Sequence, residues 1–362
     1  MCVLGLTLQR SSPTFQGFCL VLSRFAEGSS MRHVLRLALP LARRSYSSSN
    51  IPYKTEATHS GVNLAETTPS HRMDQTMVLT DTSVPHLVFN EKRIRLRLQE
   101  LGGGSVDLVK DNETGIARVV INNPSKGNAM TGSMMVDMAD IIKELEKWRR
   151  GKGLILHGNF EGSHFCSGGD VAVLRGLNQP EDGGMMCLYM QNTLGRLQRL
   201  PLITMAMVSG QAIGGGAELT TACDFRVMTD DSQIMFKQAQ LGLSTGWGGG
   251  TRLVRIVGPQ KALQLLAGSR SVSAAEAVQM GLAEDILPRG GDVLESATNW
   301  LGQYTRTSVD LVQGMKNLVL AAGALPQDKA LKAEREIFRG LWLAPEHRAK
   351  LAKLLETLQK EN

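Results

Sequence analysis

Two short stretches put glycine where a side chain would obstruct chemistry. One is "HFCSGGDVAVLRGL" at residues 164–177, and the other is "AIGGGAELTTACDF" at residues 212–225. In each, an apolar run leads into glycines and then into a helix start. The first N–H groups of a helix have no intrahelical partner and sit at the positive end of its dipole. Glycine removes the Cβ that would hold a ligand away. One such edge binds a phosphate or simply makes a turn. Two edges from neighbouring parallel strands can each aim one N–H at a single oxygen, which stabilises a carbonyl as it becomes an enolate. The second edge also carries one acid, Glu218, directly after its glycines. No Gly-x-Gly-x-x-Gly opens a helix near an acid-terminated second strand, so a dinucleotide site is not indicated.

The elements that must hold these edges alternate. "IARVVIN" (116–122) is a β-branched run closed by a turn, and "GLILHG" (153–158) and "LITMAMVSG" (202–210) are further strands. Between them, 131–148 carries apolar residues at 134, 135, 138, 141, 142, 145 and 148, a helical spacing with Thr131 or Ser133 as its cap. "MMCLYMQNTLGRLQRL" (185–200) is a second helix, stopped by Pro201. Strands alternating with helices imply an α/β fold with parallel pairing and helices packed outside. From about 258 the pattern is mostly helical, and 328–360 is long, charged and amphipathic, as in a helical appendage or an oligomer contact.

Composition narrows the function classes. The chain has 362 residues, 42% hydrophobic and 20% charged, with no apolar run near the length of a bilayer span. The net charge of +6 is concentrated at one end. Residues 1–50 hold six arginines against Glu27, residues 51–102 are balanced, and the rest carries only +1. A near-neutral body with 5% aromatics argues against a nucleic-acid surface. Five scattered cysteines without a Cys-x-x-Cys pair fit a reducing compartment, and the seven histidines have no metal-ligand spacing. Residues 1–50 form a basic leader, and its 31–49 segment, rich in Arg, Leu and Ser, reads as a mitochondrial transit peptide or as a disordered extension. Residues 51–102 read as linker with a short helix near 86–100, ended by "GGGS". The body then divides into a core over 103–290 and a helical region over 291–362.

"NNPSKGNAM", "FCSGGD", "AIGGGAELTTACDF", "GWGGGTRLVRIVG" and "AAEAVQMGLAEDILP" follow one another in this order. Together they resemble the enoyl-CoA hydratase/isomerase, or crotonase, superfamily over residues 105–362. The resemblance implies a spiral of repeated ββα units with a carboxy-terminal helical region, assembled as a homotrimer or a dimer of trimers. It implies acyl-CoA substrates, with coenzyme A as part of the substrate and no separate cofactor, while the charge, spacing and hydropathy above point to no nucleic acid, no metal and no membrane. It also implies that the thioester oxygen sits between the N–H groups of Gly169 and Gly215. The matched motifs would bring Lys126, Asn128, Ala129, Gly168, Asp170 and Gly214 to the substrate, with Lys126 either at the coenzyme's diphosphate or simply solvated. Trp247 either walls the acyl pocket or packs in the core. His164 and Cys166 flank the first edge, where backbone-bound and packing roles are the plainer readings.

The superfamily's hydratases use two glutamates to position water and deliver a proton. Glu218 matches the first. The second should lie four residues before Gly242, which is Gln238, and no carboxylate occurs from Gln233 through Arg252. An amide does not exchange protons near neutral pH. Chemistry whose main demand is enolate stabilisation remains, and decarboxylation of a malonyl-type thioester fits it. "NNPSKGNA", "MQNTL", "GGGAELTTACDFR" and "WGGGTRLV" resemble the branch that decarboxylates ethylmalonyl-CoA and, less well, methylmalonyl-CoA, a proofreading of acyl-CoA carboxylation. That branch is cytosolic, against which the 31–49 segment sets the mitochondrial matrix. Thr245 stands where the superfamily often has proline. On this reading Glu218 orients the acyl group or returns a proton; the alternative is an acid favoured by a helix start. A hydratase or isomerase with an acid from elsewhere, an RNA-binding member and a dead site are the other readings.

Overall fold

The β-branched runs pair as parallel strands buried on both faces, which is why they read as continuous apolar stretches instead of alternating ones. The computed structural model describes residues 89–288 and 291–361. The leader over 1–50, its transit-like 31–49 segment and the linker reading of 51–84 lie outside the described residues. One sheet has the order β1-β2-β3-β5-β7-β10, formed by Ser105–Lys110 (β1), Ile116–Asn122 (β2), Gly153–Gly158 (β3), Ile203–Val208 (β5), Phe225–Thr229 (β7) and Asp285–Leu287 (β10). A smaller sheet has the order β4-β6-β8-β9, from His164–Cys166 (β4), Gln211–Ile213 (β6), Gln233–Met235 (β8) and Ser271–Ser273 (β9). Consecutive strands β3/β4, β5/β6 and β7/β8 send one member to each sheet, and within this series neighbours are parallel. This is the expected spiral of ββα units. Among the described residues only the edges β1 and β9 pair antiparallel.

The helices follow the predicted periods. Glu91–Gln99 (α1) buries Ile94 and Leu98 in the main core, so this helix ahead of residue 103 packs with the body. Gly132–Leu145 (α2) is capped by Thr131, whose hydroxyl accepts from Met134 N at 3.3 Å. Val171–Gly176 (α3), Pro180–Gln198 (α4) and Gly215–Thr220 (α5) follow, then Gly249–Val257 (α6), Pro259–Gly268 (α7) and Ala274–Met280 (α8). Val293–Gly302 (α9) covers the second face of the large sheet, where Ala297 and Leu301 meet Ile155, Met205 and Val227. Past residue 258, β9 and β10 interrupt the mainly helical pattern; three residues each are too few for a period-2 signal to register.

Val309–Ala324 (α10) is tied to the core through Lys316, a buried cation paired with Asp224. Asp224 also accepts from Thr204 N at 2.8 Å and Thr204 Oγ1 at 3.0 Å, so one carboxylate joins α10, β5 and the turn before β7. The amphipathic stretch after 326 forms two helices, Gln327–Leu341 (α11) and Pro345–Glu361 (α12). The break falls at Leu343, whose φ of 58° is non-helical, just before Pro345. No helix among the described residues is long and apolar enough to cross a membrane.

Candidate active site

The small sheet brings the two glycine edges together. β4 and β6 are parallel neighbours, with Cys166 opposite Ala212, so the chain leaves the sheet side by side after each. Gly168 has φ +104°, and a Cβ there would stand 3.0 Å from Ile213 O and 3.3 Å from Gly215 N. The triplet has a reason at each position. Gly214 has φ +55°; a Cβ on Gly215 would meet the Trp247 ring at 2.6 Å; a Cβ on Gly216 would lie 2.0 Å from Cys166 O. No L side chain fits the last two without moving backbone or a buried indole.

The hydrogen bonding around the edges leaves two donors over. Gly169 forms a parallel bridge with Met130: Met130 N donates to Gly168 O at 2.8 Å, and Asp170 N donates to Met130 O at 2.9 Å. Gly214 N donates to Met235 O at 2.8 Å. The N–H groups of Gly169 and Gly215 have no acceptor among the described residues. The Trp247 ring spans the two edges, since its Cζ2 would also lie 3.8 Å from a Cβ on Gly169. The ring is 5% exposed, and its Nε1 donates to Met186 Sδ at 3.3 Å.

Glu218 is 2% exposed, and its carboxylate is engaged on both oxygens. Oε1 accepts from Gln238 Nε2 at 2.9 Å and Gly246 N at 3.3 Å; Oε2 accepts from Trp247 N and Gly249 N, both at 2.8 Å. Burial pushes this carboxyl's pKa above the usual range, and the four donors oppose that shift. Gln238 Oε1 is buried with no hydrogen-bond partner. Arg252, one turn into α6, is buried as well. It donates to Thr221 Oγ1 at 3.0 Å, Trp247 O at 2.9 Å and Glu218 O at 3.2 Å. Burial lowers its pKa and Glu218 opposes the change. Thr245 Oγ1 accepts from Gly250 N at 3.2 Å, a role proline could not fill. Arg252 escapes sequence reasoning because its acceptors are mostly carbonyls, which no motif records.

A cavity of about 790 Å³ that includes Gly169 is lined by Lys126, Ala129, Ser167, Asp170 and Arg175 among others. Lys126 Nζ donates to Asp170 Oδ2 at 2.9 Å, while Asp170 Oδ1 caps α3 by accepting from Ala172 N at 2.7 Å. The Lys126 ammonium holds the Asp170 carboxyl below the usual range, with the cap adding to it against a burial cost. The Lys126 side chain is half exposed, as a cation meeting a ligand must be. Asn128 has φ 55° and is fully buried. Its carboxamide accepts from Asn123 N and donates both N–H groups to Asn159 O and His164 O, so it ties its own turn to the loop after β3 and to β4.

The structure thus gathers Lys126, Ala129, Asp170 and Gly169 on the cavity, and Gly168, Gly169, Gly214, Gly215 and Trp247 at the joined edges. His164 pairs with Ser163 Oγ at 2.8 Å and lies against Gly127. Cys166 is buried, its thiol pushed up to about 12 by burial, which makes it a packing residue. Residues 242–246 spell Gly-x-Ser-x-Gly, but they follow a 3-10 turn, Gln238–Leu241, and not a strand; Ser244 is exposed and no nucleophile elbow forms. Among the described residues no group of three or more His, Cys, Asp or Glu could hold a metal ion.

Comparison with known proteins agrees with this geometry. Residues 111–361 match the enoyl-CoA hydratase/isomerase family model. The chain is 46% identical over 255 residues to ethylmalonyl-CoA decarboxylase of Xenopus laevis, covering 70% of this chain and 84% of that protein. It is 44% identical over 259 residues to the enzyme of the same name from Gallus gallus, covering 71% and 86%. A Thermobifida fusca YX structure in complex with acetoacetyl-CoA superposes with a TM-score of 0.56 at 27% identity, over 72% of this chain and 98% of that one. By its motifs, its spiral of ββα units and these matches, the chain belongs to the enoyl-CoA hydratase/isomerase family, the crotonase superfamily.

Proposed function

We propose that this protein is a carboxy-lyase that decarboxylates ethylmalonyl-CoA, and less well methylmalonyl-CoA, to the corresponding acyl-CoA. The observation that carries this reading is a site with two unpaired backbone donors and no carboxylate free to work on water. Glu218 is committed to four protein donors, and an amide stands at position 238. Hydration needs an acid or base at the reacting carbon. Decarboxylation needs a place for electrons. The C–C bond to the carboxylate breaks, CO2 leaves, and the electron pair moves to the thioester oxygen as an enolate. Donors from Gly169 and Gly215 stabilise that oxygen, each worth about 3 kcal/mol in barrier by analogy with other oxyanion holes. A proton from water then takes the place of CO2 on the α-carbon, and the hydroxide left is neutralised in solvent.

The cavity beside Lys126 and Asp170 receives the coenzyme end of the substrate, so the reading calls for no cofactor beyond the coenzyme A already attached. The exposed apolar side chains of α10 to α12, among them Val319, Leu331, Phe338 and Trp342, support a homotrimer or a dimer of trimers. The biological role is proofreading of acyl-CoA carboxylation, in the cytosol, with the mitochondrial matrix as the alternative if the 31–49 segment acts as a transit peptide. A panel of malonyl, methylmalonyl, ethylmalonyl and crotonyl thioesters tests the reaction. CO2 release should be fastest with ethylmalonyl-CoA. Hydration of crotonyl-CoA without CO2 release from any malonyl thioester would overturn the proposal.

A further inference from the structure

We propose that Glu218 is a positioning residue: its carboxylate clamps the Gly246–Gly249 loop and thereby seats the Trp247 indole against Gly169 and Gly215. An ionised carboxylate offers about four lone-pair sites. Four donors occupy them: Gln238 Nε2 and three backbone N–H groups, those of Gly246, Trp247 and Gly249. No site is left from which this carboxylate could take or give a proton at the substrate.

Three of the four donors follow one another closely along the chain: Gly246 N and Trp247 N lie between the 3-10 turn at 238–241 and α6, and Gly249 N is the first N–H of α6. Unpaired buried N–H groups are costly, and Glu218 supplies the acceptor this loop would otherwise lack. The contact is also steric. A Cβ on Gly249 would come 2.4 Å from Glu218 Cγ, so the loop rests directly on the glutamate's stem. Arg252 fastens the same junction from the other side, bridging the main-chain oxygens of Glu218 and Trp247. What the loop presents is the indole that spans both glycine edges. Glu218 therefore acts on the reaction through Trp247, by fixing the wall behind the two N–H groups.

A glutamine at 218 can keep much of the clamp. Its carbonyl oxygen accepts from Trp247 N and Gly249 N. Its Nε2 donates to the Gln238 carbonyl once that carboxamide turns over, which uses the oxygen now lacking a partner. Alanine cannot do this, and aspartate is one methylene short.

The inference rests on the proposed decarboxylation, so the experiment reads clamp and reaction separately. Glu218→Gln, Glu218→Asp and Glu218→Ala are compared with the natural chain by hydrogen exchange at the Trp247 and Gly249 amides and by CO2 release from ethylmalonyl-CoA. Turnover should track amide protection across the series. Glutamine should cost about threefold to tenfold, and alanine, which frees the wall to shift by about 1 Å, on the order of 10²-fold. A variant that keeps protection but loses turnover by 10²-fold, or one that loses protection at full turnover, overturns the clamp. If the natural chain releases no CO2 at all, the proposed reaction fails, while amide protection lost in alanine and kept in glutamine still upholds the loop contact.

Discussion

Adding one methyl group at Gly215 puts the joined edges under a defined load. In Gly215→Ala the new Cβ would stand 2.6 Å from Trp247 Cη2 and Cζ3. Carbon atoms rest at about 3.5 Å or more, so either the ring or the backbone of residue 215 must move by about 1 Å. The ring has little room. It is almost fully buried, its backbone N–H is bound to Glu218, and its Nε1 is bound to Met186. The displacement therefore falls largely on the Gly215 N–H. A 1 Å error in a reacting group costs on the order of 10²-fold in rate. Loss of one oxyanion donor costs a similar factor or up to tenfold more. The expected result is a fall in kcat for CO2 release from ethylmalonyl-CoA of about 10²-fold. The fold should survive, because the clash involves one side chain and not a sheet hydrogen bond. Gly215→Ala/Trp247→Leu should recover part of the loss by making room for the methyl group. A single variant within threefold of the natural chain, with the fold intact, would refute the placement of the reaction at this edge. So would a loss confined to KM, since an interaction made mainly in the transition state appears in kcat.

Two further perturbations address the coenzyme side and the missing acid. Asp170→Asn keeps an α3 cap, since asparagine caps as well as aspartate, but removes the pair with Lys126. Asp170 has a folded pKa below its ordinary value, so its contribution is present above the unfolded pKa and disappears as pH falls through the folded one. With Lys126 half exposed, urea denaturation should show a loss under about 1 kcal/mol at pH 7 that shrinks as pH falls through the folded pKa; a loss that does not change with pH would refute the ion pair as its source. Gln238→Glu places a second carboxylate at hydrogen-bond distance from Glu218 Oε1 and, by unseating the clamp, should lower CO2 release by about 10²-fold. It should also introduce measurable hydration of crotonyl-CoA, and unchanged decarboxylation would refute the pairing.

The frame of the molecule was legible because its signals are local. A buried parallel strand is an apolar run, and the spacing of Met134, Met138, Ile141 and Leu145 is a helix regardless of what it meets. The glycine edges were legible as glycines followed by a helix start, but the strands that run into them are β4 and β6 of the small sheet and not the apolar runs at 153–158 and 202–210. β4, β6, β8, β9 and β10 were not, being three-residue segments whose strand character comes from the neighbours they pair with. Asn128 was expected near the substrate through its motif, yet its carboxamide binds loops reached only through the fold. Glu218 is the sharpest case. Its partners lie 20 to 31 residues away, and three of them are backbone N–H groups, which every residue but proline carries.

The amide at 238 joins these observations. From sequence it is only a missing acid. In the fold it donates to Glu218 at 2.9 Å, the place where a second glutamate would set two carboxylates against each other. Two such groups cannot both remain ionised, and whenever Glu218 took the proton it would give up a lone pair needed by the loop. Glutamine removes that conflict and fills the fourth acceptor site. The change that withdraws a proton carrier from the site is therefore the same change that lets Glu218 serve as an anchor. Loss of water chemistry and a fixed wall behind Gly169 and Gly215 have one structural cause.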